Sequence, residues 1–180
     1  MAHPLGSIDR NILRALQDEA RMTYVDIAER VGLSVSPCKE RIRRMEREGY
    51  IQGYEARLAP EKLEAGLAVF VQIRLNHTSQ DLFREFREAV ESLEEVQECF
   101  LVSGSYDYLL KARVADMAAY RALLGETLLQ LPGVQESSTY VVMEQVKESL
   151  KIPLPYCSTA NRHRPCPENP PWVTNGGTHQ

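Results

Sequence analysis

Apolar positions in the first third of the chain recur at helical intervals. Ile8, Ile12, Leu13 and Leu16 form one stripe that ends near Glu19, with Ser7 or Asp9 as its cap. Thr23 starts a second helix, with Asp26 three residues on, and Val25, Ile27, Ala28 and Val31 form its buried side. Gly32-Leu33-Ser34 makes a turn, with Gly32 free to take positive φ. A third helix follows, for which Ser36 is the expected N-cap, Pro37 the first residue and Gly49 the left-handed stop. Its apolar face is Cys38, Ile42 and Met45, so Cys38 reads as a small core residue. Three helices with a glycine turn before the last form a helix-turn-helix. Residues 50–58 read as a short strand pair or wing.

Beyond a linker at residues 59–66, punctuated by Pro60 and Gly66, the period changes. Residues 67–76 alternate as a strand, with Val69, Val71, Ile73 and Leu75 on one side. Ser79 caps a helix through Leu82, Phe83, Phe86, Val90 and Leu93. Val96 to Val102 and Tyr108 to Val114 form a hairpin around Gly104-Ser105-Tyr106-Asp107. Asp116 caps a helix running to Leu131, and Val134 to Val146 is the last strand. The order β-α-β-β-α-β is the ferredoxin-like split unit. The expected class is therefore α+β, with a winged helix-turn-helix at 5–58 and a ferredoxin-like domain at 67–152. Two helices cover only one sheet face, so the other favours self-association, as a dimer or larger ring. From 153 to 180 the periodicity fades and prolines accumulate, which reads as a disordered tail.

Charge changes this picture locally. The 180 residues carry a net −4, which argues against a wholesale nucleic-acid binder. Residues 36–47, however, hold five basic and two acidic side chains, whereas residues 59–156 hold nine basic and fifteen acidic ones. A basic helix in an otherwise acidic protein points to a local DNA contact. On the helical wheel, Ser36, Glu40 and Arg43 share the exposed face of the half that enters a major groove in this motif. Arg43 is the expected base reader, because a guanidinium can donate twice to guanine. Glu40 can accept from cytosine. Lys39, Arg41, Arg44 and Arg47 are expected at phosphates, with Ser34 at the entrance to the helix.

The Gly104–Asp107 turn is the second chemical candidate. Glycine lets amides approach a carboxylate and Asp107 can pair with an ammonium, which together match a free amino acid. Equally, Asp107 can hydrogen-bond within its own turn. Among the four cysteines there is no paired framework, which fits a reduced, cytoplasmic setting. Neither a signal peptide nor an apolar run of about 20 residues is visible. Cys157, His163 and Cys166 are a weak three-ligand set for a metal. No nucleophile–base pair or phosphate loop stands out, so neither catalysis nor a cofactor is expected.

Ile8-Asp9-Arg10-Asn11-Ile12-Leu13, Val31-Gly32-Leu33-Ser34, Glu40-Arg41-Ile42-Arg43-Arg44 and Glu48-Gly49-Tyr50-Ile51-Gln52-Gly53-Tyr54 closely resemble the Lrp/AsnC family. So do Leu101-Val102-Ser103-Gly104, Asp107-Tyr108-Leu109-Leu110-Lys111, Leu131-Pro132-Gly133-Val134 and Thr139-Tyr140-Val141-Val142-Met143-Glu144. The match spans residues 5 to about 152. It implies a transcription regulator whose dimers assemble further, often to octamers, and bind an amino-acid effector between subunits. It also implies an effector set of Leu101, Gly104, Asp107, Met117, Tyr140, Val141 and Val142, with residues 139–142 forming a wall beside the 104–107 turn. Ser105-Tyr106 stands where the family often has Asp-Phe, which leaves leucine, alanine or another small amino acid open as effector. The expected function is sequence-specific regulation of amino-acid metabolism. The alternatives are a ligand-insensitive architectural DNA-binding protein and a metabolic enzyme or its sensing subunit.

Overall fold

In the computed structural model, residues 5–77 and 79–154 are described. The chain divides into two compact units. Of the described residues, one takes 5–56 and 149–154; the other takes Arg57–Glu148.

The first unit contains helices α1 (Ser7–Asp18), α2 (Tyr24–Val31) and α3 (Val35–Arg47). Their stripes meet in a core of Ile12, Ile27, Ala28, Cys38, Ile42 and Met45, each at most 2% exposed. The Thr23 hydroxyl caps α2 by accepting from the Asp26 amide at 3.2 Å. Gly32 (φ 70°) and Gly49 (φ 75°) take the left-handed conformation that ends α2 and α3.

Three expectations need correction here. First, α3 starts earlier than Ser36. Ser34 is its N-cap, with its carbonyl accepting from the Cys38 amide at 3.3 Å, and its side chain makes no cap bond. Pro37 is tolerated inside the first turn because none of the first four amides has a partner within a helix. Second, Gly6 rather than Ser7 or Asp9 caps α1, and Asp9 accepts from the Gly6 amide at 3.1 Å. Third, residues 50–58 contain no strand. Ile51 is the sole residue of this stretch packed against the core, too little apolar surface to hold a strand pair.

The second unit opens with a 3₁₀ turn at Pro60–Lys62. It continues with β1 (Leu67–Leu75), α4 (Gln80–Glu91), β2 (Val96–Leu101), β3 (Tyr108–Val114), α5 (Met117–Ala122) and β4 (Val134–Val141). The sheet is antiparallel in the order β2-β3-β1-β4, as the ferredoxin-like reading requires. Val69, Val71, Ile73, Tyr108, Leu110 and Ala112 point to the helix-covered face and pack on Leu82, Phe86, Tyr120 and Leu128. The opposite face carries Phe70, Gln72, Leu109, Phe100 and Tyr140, which the strand register aligns.

The helix from Asp116 does not run straight to Leu131. It widens into a π turn at Leu123–Thr127, around Gly125, and tightens to 3₁₀ at Leu128–Gln130. This adjustment lets Leu123, Leu128 and Leu131 all reach the core. Strand β4 stops at Val141, because Val142 already bonds Ala68 and β1 begins one residue earlier. Residues 149–154, part of which the sequence assigned to the second domain, belong to the first unit. There Lys151 pairs with Asp18 at 2.8 Å, and Gln17 exchanges two bonds with the backbone of Ile152.

Candidate functional site

Two groups of residues are candidates for the functional site. The first is the outer face of α3. Ser34, Ser36, Glu40, Arg43 and Arg47 are exposed and Lys39 is half-exposed. Arg47 lies 3.5 Å from Glu40, an exposed pair that costs little to break. The Lys39 ammonium sits 5.6 Å from the centre of the Tyr24 ring, at the start of α2. Tyr54 donates to Glu46 at 3.0 Å, and burial together with that carboxylate pushes its phenol up to about 12. The neutral form therefore persists throughout the physiological range.

Arg41 and Arg44 are otherwise occupied. Asp9 on α1 is 2% exposed, and its two oxygens take Arg41 at 2.9 Å and Arg44 at 2.8 Å. Burial raises the Asp9 pKa, but the bonds from Arg41, the Gly6 amide and Arg44 outweigh it and hold the carboxyl below its ordinary value. These two arginines thus form a clamp that fixes α3 against α1. Asp9 was visible in the sequence only as a cap candidate. Its position three residues before Ile12, on the buried stripe, was the signal for a second role. Cys38, buried as expected, has a thiol raised by that burial.

The second group is the set of expected effector residues, and the sheet splits it in two. Leu101 ends β2 opposite Tyr108, and the Gly104–Asp107 turn follows. The turn is tied to β1 at three points. The Asp107 amide donates to the Ile73 carbonyl at 2.9 Å, and its carboxylate accepts from the Leu75 amide at 2.8 Å. Arg74 donates through Nε to the Ser105 carbonyl at 3.0 Å. The Asp107 carboxylate therefore bonds the backbone of the neighbouring strand, while its carbonyl accepts from the Val102 amide at 2.9 Å across its own turn. Gly104, at φ 156°, lies at the margin of the region that favours glycine.

Tyr140 and Val141 pair with Phe70 and Val69, and Val142 bonds Ala68. Met117 opens α5, three residues past Val114, which pairs with Leu67. These four residues therefore lie at the other end of β1 from the turn, roughly 13 Å away at 3.3 Å per residue from Val69 to Ile73. Within one chain residues 139–142 form no wall beside the 104–107 turn, because they run toward the start of β1 while the turn is tied to its end. Leu101, Met117, Tyr140 and Val141 are all at least 39% exposed, as half-built surfaces would be.

Among the described residues no group of His, Cys, Asp and Glu could hold a metal, and no helix is long and apolar enough to cross a membrane. Cys157, His163 and Cys166 lie outside the described residues.

Comparison with known proteins agrees with both halves. Residues 5–52 match a winged helix-turn-helix DNA-binding model, and residues 68–152 match the Lrp/AsnC ligand binding domain. The leucine-responsive regulatory protein of Escherichia coli K12 is 60% identical over 148 residues, covering 82% of this chain and 90% of its own. The protein of the same name from Klebsiella pneumoniae matches to the same extent. This chain belongs to the Lrp/AsnC family.

Solved structures give the same fold. A transcriptional regulator of Neisseria meningitidis, crystallised with L-Met, is 35% identical with a TM-score of 0.79, covering 83% of this chain and 97% of its own. An AsnC family regulator from Agrobacterium tumefaciens is 37% identical with the same TM-score and coverage. The Lrp/AsnC chain described here is accordingly a transcriptional regulator, with a DNA-binding winged helix-turn-helix and an amino-acid-binding domain.

Proposed function

We propose that this regulator controls genes of amino-acid metabolism in the cytoplasm, acting through binding rather than turnover. The outer face of α3 reads the major groove. Arg43 is the base reader, with Ser36 and Glu40 beside it. Lys39 and Arg47 supply the phosphate contacts, because Arg41 and Arg44 are committed to Asp9.

The effector is a small amino acid, leucine or alanine, held where the Gly104–Asp107 turn of one copy meets Met117 and Tyr140–Val142 of another. The observation that supports this reading is the sheet register, in which Tyr140 and Val141 pair with the start of β1 while the Gly104–Asp107 turn adjoins its end. Dimers form through the uncovered sheet face, where Phe100 and Tyr140 are exposed, and then assemble further. Binding of the effector shifts the assembly equilibrium by its differential affinity for the assembly states.

Footprinting on the chain's own upstream DNA, with each common amino acid in turn, tests this reading. A protected region whose extent changes with leucine or alanine supports it. A footprint insensitive to every amino acid supports the architectural alternative.

A further inference from the structure

Helix α3 starts at Val35 rather than Pro37, which moves this valine from the turn into the first position of the helix. Val35 is 41% exposed and lies outside the core of the first unit. A single exposed apolar side chain is ordinary in itself. Its position gives it meaning. The groups proposed above at the DNA, Ser36, Lys39, Glu40, Arg43 and Arg47, are all polar or charged. Val35 directly precedes Ser36 and lies one turn before Lys39, whose ammonium sits 5.6 Å from the centre of the Tyr24 ring. It therefore belongs to the end of the helix that meets base edges in this motif. Local folding gives no reason for a valine there, since a β-branched residue is a poorer helix former than alanine.

Elementary chemistry limits what such a side chain can recognise. In the major groove every base presents donors or acceptors, and thymine alone adds a methyl group. A valine side chain has neither donor nor acceptor. Against guanine, adenine or cytosine it would strip water from polar edges and return no hydrogen bond. Against thymine it buries one apolar surface on another. The entropic cost of that contact is small, because a valine in a helix is nearly confined to one rotamer already.

We infer that Val35 is a specificity-determining residue, which packs on the 5-methyl group of a thymine beside the bases met by Ser36. This rests on the reading that the outer face of α3 lies in the major groove, and it names one base that the helix selects there. Arg43 selects by hydrogen bonds and Val35 by apolar contact, so the two discriminate at different base pairs by different chemistry. Lys39 and Arg47 add affinity without choosing a base.

Deoxyuridine in place of thymine removes the methyl group and nothing else. The test uses the full chain and the duplex that its footprint protects in its own upstream DNA, with each thymine replaced in turn. For the parent, one replacement should weaken binding about fourfold per bound copy, the worth of one methyl-sized group withdrawn from water. Val35→Ala and Val35→Ser should bind the unmodified duplex more weakly by the same factor and be indifferent to that replacement. Their salt dependence should match the parent's, since a methyl contact releases no counterions. Their melting midpoints should match as well, because Val35 lies outside the core. The inference is overturned if no replacement weakens the parent, or if the Val35 variants lose as much at the sensitive thymine as the parent does. Guanine replaced by 7-deazaguanine in the same duplex separates this inference from the groove reading. A guanine whose N7 matters to the parent but not to Arg43→Ala, with every thymine methyl indifferent, keeps α3 in the groove and removes Val35 from it. If neither replacement distinguishes the parent from its variants, the inference and the groove reading fall together.

Discussion

Arg44 on α3 donates to Asp9 on α1 at 2.8 Å, and Arg41, one turn earlier on the same helix, reaches the other oxygen of that carboxylate. The recognition helix is thus held from behind by one buried acid. Replacing Asp9 with Ala leaves two guanidinium groups on a surface that packs against α1, and each is still partly open to water. The expected loss is roughly 1–3 kcal/mol of stability, read as a lower midpoint in thermal or urea unfolding. DNA affinity should fall with it. Unchanged melting would show that the apolar core alone positions α3.

The same carboxyl gives a pH dependence. Its folded pKa lies below the ordinary 3.8, so its stabilising contribution is fully present above that value and is lost as pH falls through the folded pKa. Asp9→Asn removes this contribution. The variant should therefore show a flatter stability profile than the parent as pH falls below 3.8. Parallel acid-unfolding curves for the two proteins would contradict the assignment.

Salt dependence separates the arginines of α3. Arg43→Ala and Arg47→Ala should each reduce the slope of log affinity against log salt by about one phosphate contact, or, for a base reader, relax sequence preference by ~1–3 kcal/mol. Arg43 is expected to show mainly the second effect and Arg47 the first. Arg41→Gln and Arg44→Gln should lower stability while leaving that slope nearly unchanged. Equal slope losses at all four positions would return Arg41 and Arg44 to the phosphate set.

Gly133 offers a test of the second unit. It sits at φ 71°, and a Cβ there would lie 2.5 Å from a Leu82 methyl group. Gly133→Ala should cost more than about 1 kcal/mol, seen in unfolding of the isolated chain, because both the backbone and α4 must yield. Gly125→Ala meets no neighbour within 4 Å and should be far milder.

Much of this architecture was legible in the chain. The alternation of Val69, Val71 and Ile73, the caps at Ser79 and Asp116 and the glycine turn at Gly32 all rest on local patterns. These are what a sequence displays directly. The misplaced start of α3 shows the limit of such patterns. Ser34 and Ser36 are equally good caps by type, and only the backbone path distinguishes them. The dual role of Asp9 depends on α1 and α3 meeting, a contact between residues more than thirty positions apart. The strand pair expected at 50–58 is missing for the related reason that strands need partners, and none of the described residues supplies one. The division of the effector residues between two ends of the sheet is a matter of strand order, which no single segment encodes.

That division is the centre of the account, and mixing variants tests it most directly. Asp107→Ala chains lack a working turn, and Tyr140→Ala chains lack the β4 half-site. Each variant alone should bind DNA and ignore the amino acid that shifts the parent's footprint. After subunit exchange at equal concentrations, random pairing brings the intact turn of one chain against the intact β4 of the other. The mixture should regain part of the amino-acid response in the footprint. A mixture as unresponsive as its two parents, with exchange demonstrated, would place the effector site within a single chain and contradict the account.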